Sequence, residues 1–418
     1  MHDKLIQKLE VLSDAAKYDA SCASGSAGKR KAGKTEKTGI GSLTGGSGIC
    51  HSFTPDGRCV SLLKILMTNY CIYDCHYCIN RVSSNVRRAR FTVKETVDLT
   101  LNFYKRNYIE GLFLSSGIVG SPDLTMESMV RIAKSLRLDH GFKGYIHLKT
   151  IPNASPELQE EAGLYADRLS INVEMPTQPS LNKYAPEKDL GAIHGSMNTL
   201  KDKIAEHKAD KTYTGKRLPR FAPGGQSTQM IIGADDSNDK VILGTSVKLY
   251  DQQKLRRVYY SAFSPIPDAS EVLPLKPAPL IREHRLYQAD WLLRFYGFTL
   301  DEIVHDDMLD MDYDPKLAWA LRNRHVFPID LNKADKLLLL RVPGLGARTV
   351  QKILAIRRHT KLNWIDLTKM RLPLKKLKPF ISVGDYAPDI HLLDSNNFEL
   401  QFKQPKQFEL FSAQMKLL

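Results

Sequence analysis

Between residues 60 and 263 the chain alternates short apolar runs with longer amphipathic segments. The apolar runs are Val60–Met67, Gly111–Ser115, Tyr145–Thr150, Leu169–Val173, Gln229–Gly233 and Val258–Phe263. Their length and aliphatic content predict buried strands. Between them, Thr92–Arg106, Thr125–Leu138, Pro156–Tyr165 and Met197–His207 carry apolar residues at helical spacing, and Thr92-Val-Lys-Glu95 is a capping box for the first. Strands that alternate with amphipathic helices predict an α/β fold, a parallel sheet with right-handed crossovers. Six such units fall short of the eight that close a full barrel.

The flanks read differently. Residues 2–18 form one predicted helix with Leu5, Ile6, Leu9 and Leu12 on one side. A Gly-, Ser- and Lys-rich stretch over 21–48 predicts a flexible basic loop. Within it, Gly28-Lys-Arg-Lys-Ala-Gly-Lys-Thr35 matches the phosphate-binding pattern G-x4-G-K-S/T, but no strand precedes it and no helix follows. The backbone amides of such a loop converge on phosphate only in that setting, so the match is rejected. Residues 264–282 are too rich in proline for a continuous helix and read as a connector, followed by a helix over Glu283–Phe295. Two short helices are predicted on either side of Val342-Pro-Gly-Leu-Gly346, and the end of the chain is polar with little pattern. The predicted organisation is an N-terminal helix and basic loop (1–50), a barrel (51–263), a connector with a helical segment (264–325), an all-α module (326–385) and a flexible tail (386–418).

A hydrophobic fraction of 42% with 25% charged residues is ordinary for a globular chain with a real core. A net charge of +14 favours a polyanionic partner, most often nucleic acid. No apolar stretch approaches the length that spans a bilayer, and the first residues lack the uninterrupted apolar core of a secretory signal. All six cysteines lie at or before Cys78, which excludes a disulfide framework and predicts a reducing, cytoplasmic setting.

Three of those cysteines crowd into Cys71-Ile-Tyr-Asp-Cys75-His-Tyr-Cys78. Three thiolates on one loop cannot all pair as disulfides, but they can share one soft metal centre. They are too few for a closed four-cysteine site. A cube of four irons held by three thiolates keeps one iron open for a guest. A structural zinc loop completed by His76 is the competing reading.

The C-x3-C-x2-C loop after a first strand, with Tyr77 just before the last cysteine, resembles the radical S-adenosylmethionine (SAM) superfamily. The resemblance implies a partial (β/α)6 barrel, with functional residues at the C-terminal strand ends, and a 4Fe-4S cluster ligated by Cys71, Cys75 and Cys78. It implies that the open iron chelates the methionine part of SAM and that one electron cleaves the sulfonium, giving a radical that takes hydrogen from an unactivated C–H bond. Leu112-Phe-Leu-Ser-Ser-Gly117 stands where the superfamily has Gly-Gly-Glu, which leaves Ser115, Ser116 and Gly117 to meet the cofactor's amino group. Asn172 and Glu174 resemble the ribose-binding position. Met230-Ile-Ile-Gly-Ala-Asp-Asp236 resembles a fifth-strand pattern: Ile231 and Gly233 match, Asp236 replaces a glutamate and Gln229 a glycine. All of these also suit ordinary strand and turn positions. Cys22, Cys50 and Cys59 offer ligands for a second Fe-S cluster, as in methylthiolating members, although Cys59 abuts a core strand. The resemblance assigns no residue to the catalytic step itself.

Asp330–Arg358 resembles a helix-hairpin-helix DNA-binding motif. Gly344 and Gly346 would let backbone approach a phosphate, with Arg348 and Lys352 adding charge; a hairpin used only for packing is the alternative. Gln407-Phe-Glu-Leu-Phe411 resembles the peptide by which DNA-processing proteins grip the sliding clamp. Together these segments resemble a bacterial family of DNA modification/repair radical SAM proteins, most sharply from Thr68 to Arg81. Members are encoded beside a uracil-DNA-glycosylase-like protein, which implies a partner, and the chemistry implies an electron donor such as flavodoxin or ferredoxin. Three functions follow as expectations: DNA base modification or repair, RNA (tRNA) modification, or a non-enzymatic Fe-S DNA-binding or sensing protein. Cofactor cleavage separates the first two from the third. Because no cysteine follows Cys78, no thiol on a later strand can return hydrogen to a product radical, which leaves Tyr259 and Tyr260 as candidates.

Overall fold

A computed structural model describes residues 2–16, 48–53, 58–209, 221–267, 269–395 and 397–403. The basic loop with Cys22, the G-x4-G-K-S/T match and the Gln407–Phe411 peptide lie outside the described residues. The chain forms two compact units, residues 1–237 with 245–278 and residues 238–244 with 279–418. Among the described residues no helix is long and apolar enough to cross a membrane.

The first unit holds a curled, half-barrel sheet of seven strands. In chain order its elements are α1 (His2–Ala15), β1 (Ile49–Phe53), β2 (Cys59–Leu66), α2 (Val93–Lys105), β3 (Gly111–Ser115), α3 (Pro122–Leu138), β4 (Tyr145–Lys149) and α4 (Pro156–Tyr165). They continue with β5 (Arg168–Ser170), α5 (Gln178–Tyr184), α6 (Leu190–Ala209), β6 (Gln226–Ile232), the part of α7 (Asp239–Gln252) from Thr245 on, and β7 (Arg257–Ala262). The strands lie side by side in sequence order; β2 to β7 run parallel and β1 pairs antiparallel on the edge beside β2. The α/β class and partial barrel read from the sequence are therefore the fold.

The strands were legible because both faces of the sheet are covered. Every residue of β3 and β6 is buried, so each strand reads as a continuous run rather than an alternation. Leu62, Leu63, Ile65, Leu112, Phe113, Leu114, Ile146 and Leu148 are all at 0% exposure. Burying each such side chain contributes about 1.5–3 kcal/mol. The capping box of α2 forms as written: Thr92 Oγ1 accepts from Glu95 N at 3.1 Å and Glu95 Oε2 from Thr92 N at 2.8 Å. Lys8 of α1 reaches the same glutamate at 2.7 Å.

Four elements depart from expectation. β1, α5 and α7 were not anticipated, because a five-residue polar edge strand, a seven-residue helix and a segment of weak amphipathicity carry little periodic signal. β5 is shorter than Leu169–Val173, since the chain leaves the ladder after Ser170 and rejoins β6 in backbone pairing at a bridge between Glu174 and Met230. Glu174 has φ +62°, a left-handed conformation that ends a strand and costs a non-glycine residue about 1–2 kcal/mol.

The second unit is helical: α8 (Leu280–Phe295), α9 (Leu300–Ile303), α10 (Pro315–Arg322), α11 (Lys336–Arg341), α12 (Ala347–Ile356), α13 (Trp364–Lys369) and α14 (Leu374–Leu377). A short parallel pair, β8 (Ile329–Asp330) with β9 (Ile381–Ser382), closes the segment that carries α11 to α14. Edge-to-face packing links Phe298, Trp319, Phe327 and Phe380 at centroid distances of 5.7, 6.2 and 4.9 Å.

Lys316 of α10 is buried in this unit, with its Nζ donating to Leu345 O at 2.7 Å and lying 4.8 Å from the Tyr296 ring centre. Burial pushes its pKa down from 10.5 to about 7, against the pull of Asp314. Unfolding restores the higher value. Between about pH 7 and pH 10 the unfolded chain therefore binds more protons than the folded one, so stability rises with pH across that window. All three tryptophans, Trp291, Trp319 and Trp364, lie in this unit, so their fluorescence reports on it alone. A melt followed this way is expected to shift upward from about pH 7 to about pH 9.5 in the parent and much less in Lys316→Met. A parent midpoint that stays flat or falls would count against a neutral buried lysine.

Candidate metal and cofactor site

The three cysteines sit on the loop that leaves β2 at the C-terminal edge of the sheet. Thr68 and Asn69, both fully buried, turn the chain outward and tie it to its own return. Thr68 Oγ1 donates to Ala89 O at 2.9 Å, Asn69 Nδ2 to Arg87 O at 2.8 Å, and Ala89 N to Asn69 Oδ1 at 2.7 Å. On the other side Ile72 N donates to Ile118 O at 2.9 Å and Gly117 N to Thr68 O at 2.8 Å. A Cβ on Gly117 would lie 2.2 Å from Tyr70 O, so only glycine permits this approach of β3 to the loop. Asp74 stiffens the far end: its Oδ1 accepts from Ser83 Oγ at 2.6 Å, and that bond holds its carboxyl below the usual range despite partial burial.

Cys71, Cys75 and Cys78 line one cavity of about 190 Å³. Of the residues predicted to hold the cofactor, Tyr77, Ser115, Ser116 and Gly117 line it, and so do Asn172, Glu174 and Ile231. Gly233 and Asp236 do not. Gly233 has φ +78° in the turn after β6, and past that turn Asp236 is exposed, so neither is brought to the cavity.

Sequence reading missed the lysines of this site, Lys149 and Lys188, which both line the cavity. Lys188, in the short loop between α5 and α6, places Nζ 2.9 Å from Glu174 Oε1 and 3.3 Å from the Tyr77 hydroxyl. Burial disfavours the ammonium, but the Glu174 carboxylate outweighs it and holds Lys188 above its ordinary value, hence charged. Burial pushes the Cys75 thiol up to about 12, partly offset by Lys188, and raises Cys78 as well. Neither is a thiolate by itself, and a metal would supply the positive charge that makes them so. Gln229, where the family pattern has glycine, also lines the cavity, and its Oε1 accepts from Asn172 Nδ2 at 3.2 Å.

The residues present fit a cluster with a polar guest. Three lining residues carry a buried polar atom with no hydrogen-bond partner among the described residues: Asn80 Oδ1, Ser115 Oγ and Asn172 Oδ1. Each such orphan costs about 1–3 kcal/mol, a deficit that a ligand with amino or hydroxyl groups relieves. Among the described residues no three Cys, His, Asp or Glu side chains converge on one ion position. The second cluster is corrected. Cys50 pairs with Leu62 and Cys59 with Phe53, three residues along β1, so the two thiols face opposite sides of the sheet. Cys50 is buried with Val60, Leu62, Phe113 and Tyr145 while Cys59 is exposed, and no one cluster could take both.

No family model matches this chain, and no curated protein matches it. Solved structures resemble it at low identity. The FeFe-hydrogenase maturase HydG from Carboxydothermus hydrogenoformans is 12% identical with a TM-score of 0.42, over 55% of this chain and 50% of that one. Methylornithine synthase (PylB) is 15% identical with a TM-score of 0.39, over 66% and 67%. Coproporphyrinogen III oxidase (HemN) from Escherichia coli, described as a radical SAM enzyme, is 15% identical with a TM-score of 0.35, over 61% and 56%. The chain spans about half the length of the maturase it matches.

Proposed function

We propose that the chain is a radical SAM enzyme acting on nucleic acid, in the first place on DNA bases. The observation that carries the first half is the meeting of three thiols with unsatisfied buried polar atoms in one cavity at the strand ends. Cys71, Cys75 and Cys78 would hold a 4Fe-4S cluster, and Ser115, Asn172 and Glu174 the SAM beside it. When bound, the pair supplies one-electron cleavage of a sulfonium and hence hydrogen abstraction from carbon. The protein's own work is to bind, orient and exclude water. Ser115 at the end of β3 and Asn172 just past β5 offer acceptors, Lys188 pairs with the Glu174 carboxylate, and Ile79, Ile118 and Ile231 supply apolar wall. An external electron donor of the flavodoxin or ferredoxin class is required.

The nucleic-acid half rests on the net charge and the second unit. Gly346 is the N-cap of α12, and Arg348 and Lys352 on that helix are exposed. Gly344 also serves the fold: at φ +89°, a Cβ there would press on Pro373 Cγ at 3.0 Å. Contacts from Arg348 and Lys352 to phosphate read backbone rather than sequence, so affinity is general and salt-sensitive. Lys352→Ala is expected to lower the slope of log affinity against log salt by about one on duplex DNA. An unchanged slope would return the hairpin to a packing role.

Tyr260 is fully buried with its hydroxyl on Ser246 Oγ at 2.9 Å, and neither it nor Tyr259 lines the cavity. Of the tyrosines considered as hydrogen donors on the last strand, neither reaches the cavity, which favours a reaction that consumes the cofactor, with 5′-deoxyadenosine forming in proportion to product, over a lyase that relies on them. The deciding experiment measures 5′-deoxyadenosine with added duplex, single strand or tRNA, beside mass spectrometry of DNA nucleosides from cells with and without the gene. Stimulation by tRNA alone with unchanged DNA nucleosides would replace DNA by RNA modification.

A further inference from the structure

The cysteine loop leaves the barrel at Thr68 and returns at Arg90, which bridges back to Thr68, so its two arms meet at a neck. One side chain spans that neck. Arg88 Nη1 donates to Asn69 O at 2.5 Å and Asn80 O at 2.9 Å, and Nη2 to Arg81 O at 2.6 Å and Ser84 O at 2.9 Å. Asn69 lies just before Cys71, and Asn80, Arg81 and Ser84 just after Cys78. The four residues that offer these carbonyls are all buried, away from competing water. Every acceptor is a carbonyl, so the contact is not an ion pair. Serving several carbonyls from one centre needs the planar, many-donor fork of a guanidinium, which a lysine ammonium does not offer.

We infer that Arg88 is a positioning residue for the metal centre: its four-point fork fixes the spread between Cys71 and the Cys75–Cys78 turn. The inference rests on the metal reading of those cysteines. Other ties of the loop, from Asp74 to Ser83 and from Ile72 to Ile118, do not involve Arg88, so its loss loosens the neck without unfolding the barrel.

The test uses full-length Arg88→Lys and Arg88→Gln beside the parent, with two readouts. In anaerobically reconstituted protein, a chelator is expected to bleach the iron–sulfur absorbance about 10–100-fold faster in both variants, the usual cost of removing a group that holds ligands in place. In metal-free protein, alkylation of Cys75 by iodoacetamide, read by mass spectrometry, is expected to speed up about tenfold, a loss of about 1.4 kcal/mol in loop closure. Cys50, equally buried but in the sheet core, is the internal reference and should not change. Full retention in Arg88→Lys would make the charge, not the fork, responsible and would overturn the inference. Equal acceleration at Cys50, or none at Cys75, would overturn it too. A parent that takes up no iron would sink the metal reading, while the alkylation rates would still judge the tie.

Discussion

Replacing any one of Cys71, Cys75 or Cys78 by alanine is expected to take reconstituted iron from about four per chain to near none. A cube held at three corners cannot lose one without exposing two irons, and the loop has no fourth thiol to substitute. The described cysteines outside the loop are too constrained to help, since Cys50 is packed into the sheet and Cys59 faces solvent. Cys50→Ala should therefore keep full iron and sulfide, which makes it the control for handling losses. Full iron in all three loop variants would remove the assignment.

The second large effect belongs to the buried ion pair. The Lys188 and Glu174 side chains are 17% and 8% exposed and 2.9 Å apart. Lys188→Met strips the cation from a buried carboxylate, and breaking such a pair from one side costs about 3–5 kcal/mol. Replacing both partners removes the uncompensated charge with the pair, so Lys188→Met with Glu174→Leu should recover most of the loss. Urea unfolding followed by far-UV circular dichroism reads both, since the first unit has no tryptophan of its own. A single variant within about 1 kcal/mol of the parent would show that the pair is solvated rather than buried. Both variants should lose SAM binding even where stability returns, because Glu174 is then absent or misplaced.

What the sequence reveals and what it hides have physical causes. Strands covered on both faces give continuous apolar runs, and the Thr92–Glu95 box marks a helix start, so the six parallel strands of the barrel and its first helix could be placed, while β1, α5 and α7 could not. The cysteine loop is equally legible, because three soft ligands at close spacing have few other uses. Lys188 is not. It sits in a loop without a motif, and its role comes from convergence with Tyr77 and Glu174, 111 and 14 residues away in sequence. Arg88 is hidden for the same reason: its partners are carbonyls, which every residue has. Asp236 shows the opposite failure, a residue that stands at a pattern position in place of a glutamate but is exposed past the turn at Gly233.

The central claim is that three thiolates leave one iron open to SAM. The most direct measurement is low-temperature paramagnetic resonance of the anaerobically reconstituted, reduced full-length chain, before and after saturating SAM. A signal from a cluster of about four irons per chain that changes on adding SAM, and is missing in Cys75→Ala, is the predicted result. A fully loaded, reduced cluster whose signal SAM leaves untouched would contradict it.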